Sequence, residues 1–371
     1  MKMTLQKLKE LFMRGPLGLT LVSILVGFSV GAIVLLIAGF NPIDAYWAIL
    51  RGTFAKPKYV SYVIIYATPL IITGLSVAFA LRTGLFNIGA EGQFIVGAMV
   101  AAMAGYYIHL PLLLHVPVCI LLAVGASAIW GGLAGYIKAK FGVHEVISTI
   151  MLNWTALYLS NWSLSLKSFG KMGTGKSYII QDTARIDLFG QWKITEAGID
   201  FIRSHKYLGD VLKSPVNAGI IIAIILAILM WYVLNKTTLG YELRAVGYNQ
   251  HAAEYGGINV QRSIVTSMSI AGGLAGCAGA LQVMGVSHKI AKLAIMEGYG
   301  FDGIAVSLIG NNTGPGSVFA GLLFGGLKYG GSKIQDAVGA PTEVINIVVG
   351  TIILFTAMPK LIQMILRSRR G

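Results

Sequence analysis

"VNAGIIIAIILAILMWYVLN", Val216 to Asn235, carries no charged residue from end to end. Coiled as an α-helix it measures about 30 Å, the thickness of the hydrocarbon core of a bilayer. The composition says which solvent such a run meets. Hydrophobic residues make up 55% of the 371-residue chain and charged residues only 12%, against about 25% charged in soluble domains. A surface this poor in charge suits lipid, and the class is an all-α, polytopic transmembrane helical bundle.

Comparable runs recur on both sides of this one. The expected spans are Pro16–Ala38, Tyr59–Leu81, Phe94–Leu110, Leu112–Ile137, Val143–Leu166, the quoted run ending at Asn235, Ser263–Val286, two shorter runs at Gly300–Gly310 and Ser317–Gly330, and Glu343–Leu366. The basic N-terminus "MKMTLQKLKELFMRG" precedes a run longer than a signal-peptide core, so a retained first span with a cytoplasmic N-terminus is expected. Arg82, Lys138, Lys140 and the stretch Lys236–Arg262 then all fall on the cytoplasmic side, as the positive-inside bias requires. The tail "RSRRG" belongs there too, which calls for an even count of about ten crossings, some of them short or interrupted. The net charge of +14, from 29 Lys+Arg and 15 Asp+Glu, is read as flanking charge beside membrane lipid rather than a nucleic-acid surface. Cys119 and Cys277 sit in apolar runs and read as small packing residues, not as a disulfide or metal ligands; neither a metal nor a cofactor is expected.

One stretch invites a different reading. In "FGKMGTGKSYII", Phe169 to Ile180, Gly170, Gly175, Lys176 and Ser177 fit the phosphate-loop pattern G-x-x-x-x-G-K-[ST]. A working loop of that kind follows a buried strand and opens a helix. Here a polar exit from a span precedes it and no helical period follows, inside a polar segment, 167–214, expected outside the cell. The match is read as coincidence.

Glycine is concentrated in the spans, and "GGLAG" occurs twice, at Gly131–Gly135 and Gly272–Gly276, with Gly321 and Gly325 repeating the spacing. Small residues four apart let helix backbones approach closely. That reads first as packing within one chain, with subunit contact as the alternative.

Two polar segments remain. "LRTGLFNIGAEGQFIVGAMVAA", Leu81 to Ala102, sets Asn87, Glu91 and Gln93 among apolar neighbours. Physics leaves two readings open: a solvated turn before a helix start, or a broken helix lining a cavity. "TTLGYELRAVGYNQHAAEYGGINVQRS", Thr237 to Ser263, is expected to hold a short surface helix ended by Gly256 and Gly257. It is either a plain connector or a docking helix for a cytoplasmic partner.

The pair "GLFNIGAEGQF" and "RAVGYNQHAAEYGGI" resembles the permease subunits of bacterial ABC importers for simple sugars and nucleosides, within the wider group of ribose and branched-chain amino acid permeases. "GYGFDGIAVSLIGNNTGPG" and "NPIDAYWAILRGTF" share the resemblance, which covers nearly the whole chain apart from the segment 167–214. "NIGAEGQ" is similar to the nucleoside branch. The resemblance implies a single permease domain over 1–371 in the bacterial cell membrane, with 167–214 as an extracellular loop and 236–262 as a cytoplasmic coupling segment. Its implied partners are a cytoplasmic ABC ATPase subunit, a second and non-identical permease subunit, and an extracellular substrate-binding lipoprotein. By position, Phe86, Asn87, Glu91 and Gln93 match the family's intramembrane segment. Glu242, Arg244, Ala245, Gly247, Asn249, Ala252, Ala253 and Gly257 match its coupling segment. The implied function is inward transport of nucleosides by alternating access, with no catalytic residue on this chain. Simple sugars such as ribose or galactose are the alternative cargo. An ion-coupled secondary transporter, drawing on Glu91, Asp302 or Glu343, is the rival from another class.

Overall fold

The computed structural model describes residues 16–357 and is all-α apart from one small hairpin. In chain order the elements are α1 (Pro16–Ile37), α2 (Pro42–Phe54), α3 (Pro57–Arg82), α4 (Ala90–Tyr107), α5 (Leu112–Phe141) and α6 (Glu145–Ser163). The hairpin strands β1 (Gly170–Lys171) and β2 (Lys176–Ser177) follow, then α7 (Glu196–Ser204) and α8 (Lys206–Leu212). The last set is α9 (Gly219–Lys236), α10 (Thr238–Tyr248), α11 (Gln250–Tyr255), α12 (Val260–Gln282), α13 (Tyr299–Ile309), α14 (Gly314–Val338) and α15 (Thr342–Ala357). The basic N-terminus, the tail "RSRRG" and the end of the last expected span lie outside the described residues.

Among the described residues, α3, α5, α9 and the stretch Val260–Ser287 are long and apolar enough to cross a membrane. Val22–Ile37, Tyr299–Ile309 and Thr342–Phe355 are shorter apolar helices. Leu121 and Ile129 of α5 and Ile225 and Ile228 of α9 stand exposed, an apolar surface that only lipid or another apolar chain can cover.

The described residues form two compact units, 16–59 with 326–357 and Val60–Gly325. In the first, α1 packs along α15 around Leu35, Ala45, Ile49, Val348 and Ile352. Its α2 starts where Asn41 accepts the Ile43 N–H and Pro42 supplies a pre-set first turn. This helix escaped the list of expected spans because Asp44 and Arg51 interrupt its apolar pattern.

In the second unit α12 lies against both α5 and α4. The two "GGLAG" copies meet there: a Cβ on Gly131 would stand 3.0 Å from the Gly272 Cα, and one on Gly272 3.1 Å from the Gly131 Cα. The repeat is thus a crossing point inside the chain. The buried core around it includes Leu75, Phe79, Phe94, Ala102, Ala278 and Leu281.

Two helices in this unit are broken. After α3 the chain turns at Gly84, whose φ of 73° suits glycine, and the Leu85 N–H bonds back to the Ala80 carbonyl. It then runs back alongside α3 until Asn87 reaches Ser76, which lies about 9 Å along the axis from Arg82. The following helix starts at Ala90, earlier than the expected Phe94, and ends at Tyr107 because Pro111 holds the chain before it extended. The second break follows α12. A π-turn over Val283–Ser287 leads into irregular chain that returns into the unit before α13 begins.

Candidate functional site

The two breaks meet at Glu91. Its side chain is fully buried in the first turn of α4, and its carboxylate oxygens accept the Gly298 and Gly300 N–H groups at 2.8 and 2.6 Å. Those donors belong to the first turn of α13, where a helix has no internal partners for them. The carboxylate also meets the positive end of the helix dipole. Thr73 of α3 completes this end by donating its hydroxyl to the Tyr299 carbonyl at 2.9 Å. Gly300 is required: a Cβ there would strike the Glu91 backbone.

A second set of buried polar groups holds the chain ahead of α4. Asn87 and Gln93 exchange amide hydrogen bonds at 2.8 and 3.1 Å, and Asn87 also donates to the Ser76 hydroxyl. Asn153 of α6 accepts the Gly92 N–H at 2.8 Å and donates to the Ile88 carbonyl at 3.0 Å. Phe86 is half-buried; its N–H donates to Glu145, which pairs with Lys138. Asn87, Glu91 and Gln93 are thus brought together inside protein, away from bulk solvent. Beside them lies a cavity of about 130 Å³ whose lining includes Phe94, Ser160, Gln282, Lys289 and Glu297. Of the carboxylates weighed for an ion site, Asp302 is in the first turn of α13 and Glu343 is exposed in the other unit. Among the described residues, no group of three or more His, Cys, Asp or Glu could hold a metal ion.

At the Arg82 end of α3 the stretch 237–263 forms two helices where one was expected. The chain breaks at Asn249, which is extended at φ −161° and accepts the Ala252 N–H to cap α11. Glu242, Asn249, Ala252 and Gly257 are exposed, Arg244 and Ala245 are half-buried, and Ala253 is buried. Tyr248 and Tyr255 project at 88% and 97% exposure, beyond what packing inside the chain would leave. Gly247 touches the α3–α4 turn: a Cβ there would come within 3.0 Å of the Thr83 carbonyl carbon.

The phosphate-loop letters fold as a hairpin. Gly170 pairs with Ser177 and Lys171 with Lys176, and Gly173 and Gly175 turn the chain at φ 72° and 61°. No helix follows Lys176, and the Ser177 hydroxyl is occupied, donating to the Tyr178 carbonyl and accepting the Ile290 N–H. A phosphate cradle needs those groups free.

Sequence reasoning singled out Asn87, Glu91 and Gln93 but passed over Thr73, Ser76, Glu145 and Asn153, which complete their bonding. The available signal was a polar residue inside an apolar run, since such a residue must find a partner.

A helical membrane bundle with two broken helices tied through buried polar side chains is a transport scaffold. Residues 59–357 match the family described as branched-chain amino acid transport system / permease component, and the chain belongs to that family. It is a permease subunit of an ABC transporter, a transport component and not an enzyme. The guanosine ABC transporter permease protein NupP of Bacillus subtilis (strain 168) is 41% identical over 347 residues, 93% of this chain and 94% of that one. The nucleoside ABC transporter permease protein NupB of Lactococcus lactis subsp. cremoris (strain MG1363) is 34% identical over 353 residues, 95% and 93% of the two chains. A second B. subtilis protein, the guanosine ABC transporter permease protein NupQ, is 29% identical over 248 residues, 67% and 73%. No solved structure matches the chain.

Proposed function

We propose that this chain carries nucleosides inward as one of two non-identical permease subunits in a bacterial cell membrane. The observation that carries this reading is the 41% identity to a guanosine permease over almost the full length of both chains. That two guanosine ABC transporter permease proteins of B. subtilis are both similar to this chain supports the paired arrangement. The whole chain acts as one permease domain with about ten crossings and both termini in the cytoplasm, an orientation supported by the positive-inside bias. The segment 167–214 then faces outward toward a substrate-binding lipoprotein, and 236–262 faces the cytoplasm and a separate ATPase subunit.

The task is alternating access, with no bond made or broken in the cargo. Phe86, Asn87, Glu91 and Gln93 stand on the translocation route and hold its broken helices in shape. The adjoining cavity is lined by Ser160, Gln282 and Glu297, whose hydroxyl, amide and carboxylate suit the hydrogen-bonding groups of a nucleoside. Uptake competition in cells carrying the whole system tests the cargo. Unlabelled purine and pyrimidine nucleosides are expected to displace a labelled nucleoside. Competition by ribose, galactose or a branched amino acid alone would overturn the nucleoside assignment and leave the permease intact.

Two further results are expected. Arg244 has no ion-pair partner among the described residues and lies in the exposed coupling segment with Glu242, Ala245, Gly247, Asn249, Ala252, Ala253 and Gly257. Arg244→Glu should weaken binding of the ATPase subunit by about 2–5 kcal/mol, read by co-purification against salt. Lys176→Ala in the hairpin should leave ATP hydrolysis by the assembled transporter unchanged. A loss on the scale of an ATPase-site lysine mutation would restore the phosphate-loop reading.

A further inference from the structure

The helix α13 is tied to its unit at both of its ends. It is only 11 residues long. Irregular chain leads into it, and Asn311 and Asn312, both left-handed at φ 52° and 53°, lead away from it. Both of its ends are gripped by residues flanking one turn. Glu91, just after the turn, takes the N–H groups at its start. Arg82, just before the turn, donates from Nε to the Asn312 carbonyl at 2.9 Å and reaches the Asn311 carbonyl at 3.5 Å. A carboxylate thus meets the positive end of the helix, and a guanidinium meets the turn that joins its other end to α14.

The same turn is the one that α10 touches through Gly247. Arg82 therefore has its backbone under the exposed helix pair and its guanidinium on the far end of α13. The side of α13 that faces α3 fits it closely. Gly303 lies against Thr73, and Gly74 lies against Val306. A short helix with irregular chain before it and only a turn after it can shift as a body when its polar grips shift.

We infer that Arg82 is a positioning residue that makes α13 follow the α10–α11 segment, so that α13 is the element displaced when the cytoplasmic partner moves. This rests on the transport reading above. A displacement arriving at Gly247 reaches the α3–α4 turn first. The turn carries it to α13 through Arg82 at one end and Glu91 at the other.

The test uses the complete transporter in proteoliposomes, with uptake of labelled guanosine and ATP hydrolysis measured together. With Arg82→Gln the complex still assembles and hydrolyses ATP, and nucleoside moved per ATP falls about tenfold, the worth of one charged hydrogen bond. Arg82→Lys recovers part of the ratio. An unchanged ratio in Arg82→Gln overturns the assignment. A second pair keeps the question open to test if that variant fails to assemble. Leu308 of α13 and Ile129 of α5 are both exposed, so Leu308→Cys and Ile129→Cys can carry spin labels while the buried Cys119 and Cys277 stay unlabelled. The distance between the labels should change when ATP is added to the assembled transporter with Arg82 intact; an unchanged distance overturns the moving-helix inference. Failure of the unmodified transporter to take up guanosine counts against the proposed cargo, not against Arg82.

Discussion

Glu91→Gln is expected to lower uptake by about a hundredfold, because one carboxylate oxygen that accepts an N–H from α13 becomes an NH₂ group that repels it. The loss combines a broken charge-assisted bond with a buried donor left unpaired, and each is worth about 1–3 kcal/mol. Glu91→Asp keeps the charge on a stem one carbon shorter, so it should hold one of the two N–H groups and recover part of the activity. The measurements are uptake in proteoliposomes and thermal unfolding in detergent. A role confined to stability would move the melting point and leave uptake per folded molecule unchanged; a role on the route moves both. Uptake by Glu91→Gln equal to that of the unmodified protein would sink the proposed part of Glu91 altogether.

The other large effect is expected at the glycine crossing. Gly272→Val places a branched side chain against the Ser127 and Gly131 backbone, where no side chain can rotate away. Overpacking of this kind costs about 3 kcal/mol or more when backbone must move. The α5–α12 crossing should then open, and the yield of folded protein in the membrane should collapse. Gly125→Val, on α5 of the same crossing pair, is the control, since a Cβ at Gly125 meets nothing within 4 Å. If both variants fold equally well, the two "GGLAG" copies do not set the helix spacing.

How much of this was legible beforehand follows from the range of each interaction. The all-α membrane class was readable from composition and from uncharged runs, because both are properties of single stretches. The glycine repeats could be seen, and their most economical reading, packing within one chain, is what the crossing displays. Asn87, Glu91 and Gln93 stood out as polar residues among apolar ones. What they bind did not, because the partners of Glu91 are backbone N–H groups 207 and 209 residues away, and a backbone donor has no letter in the sequence. The split at Asn249 was missed because the alanines and charges around it suit a continuous helix, whereas the Asn side chain starts a new one. The phosphate-loop letters carry an ambiguity of a related kind. Glycine serves a hairpin turn as readily as a nucleotide cradle, and only the neighbouring strand and helix distinguish the two.

The grip of Glu91 on α13 also bears on how the chain is made. Synthesis delivers the N-terminal part first, so α4 is finished long before Gly298 and Gly300 emerge. Through that interval a carboxylate waits in a half-built bundle with its intended donors still unmade. A chain halted before Gly298 lacks both donors of that buried acid, so the fold around Glu91 is complete only once the late helix has been made.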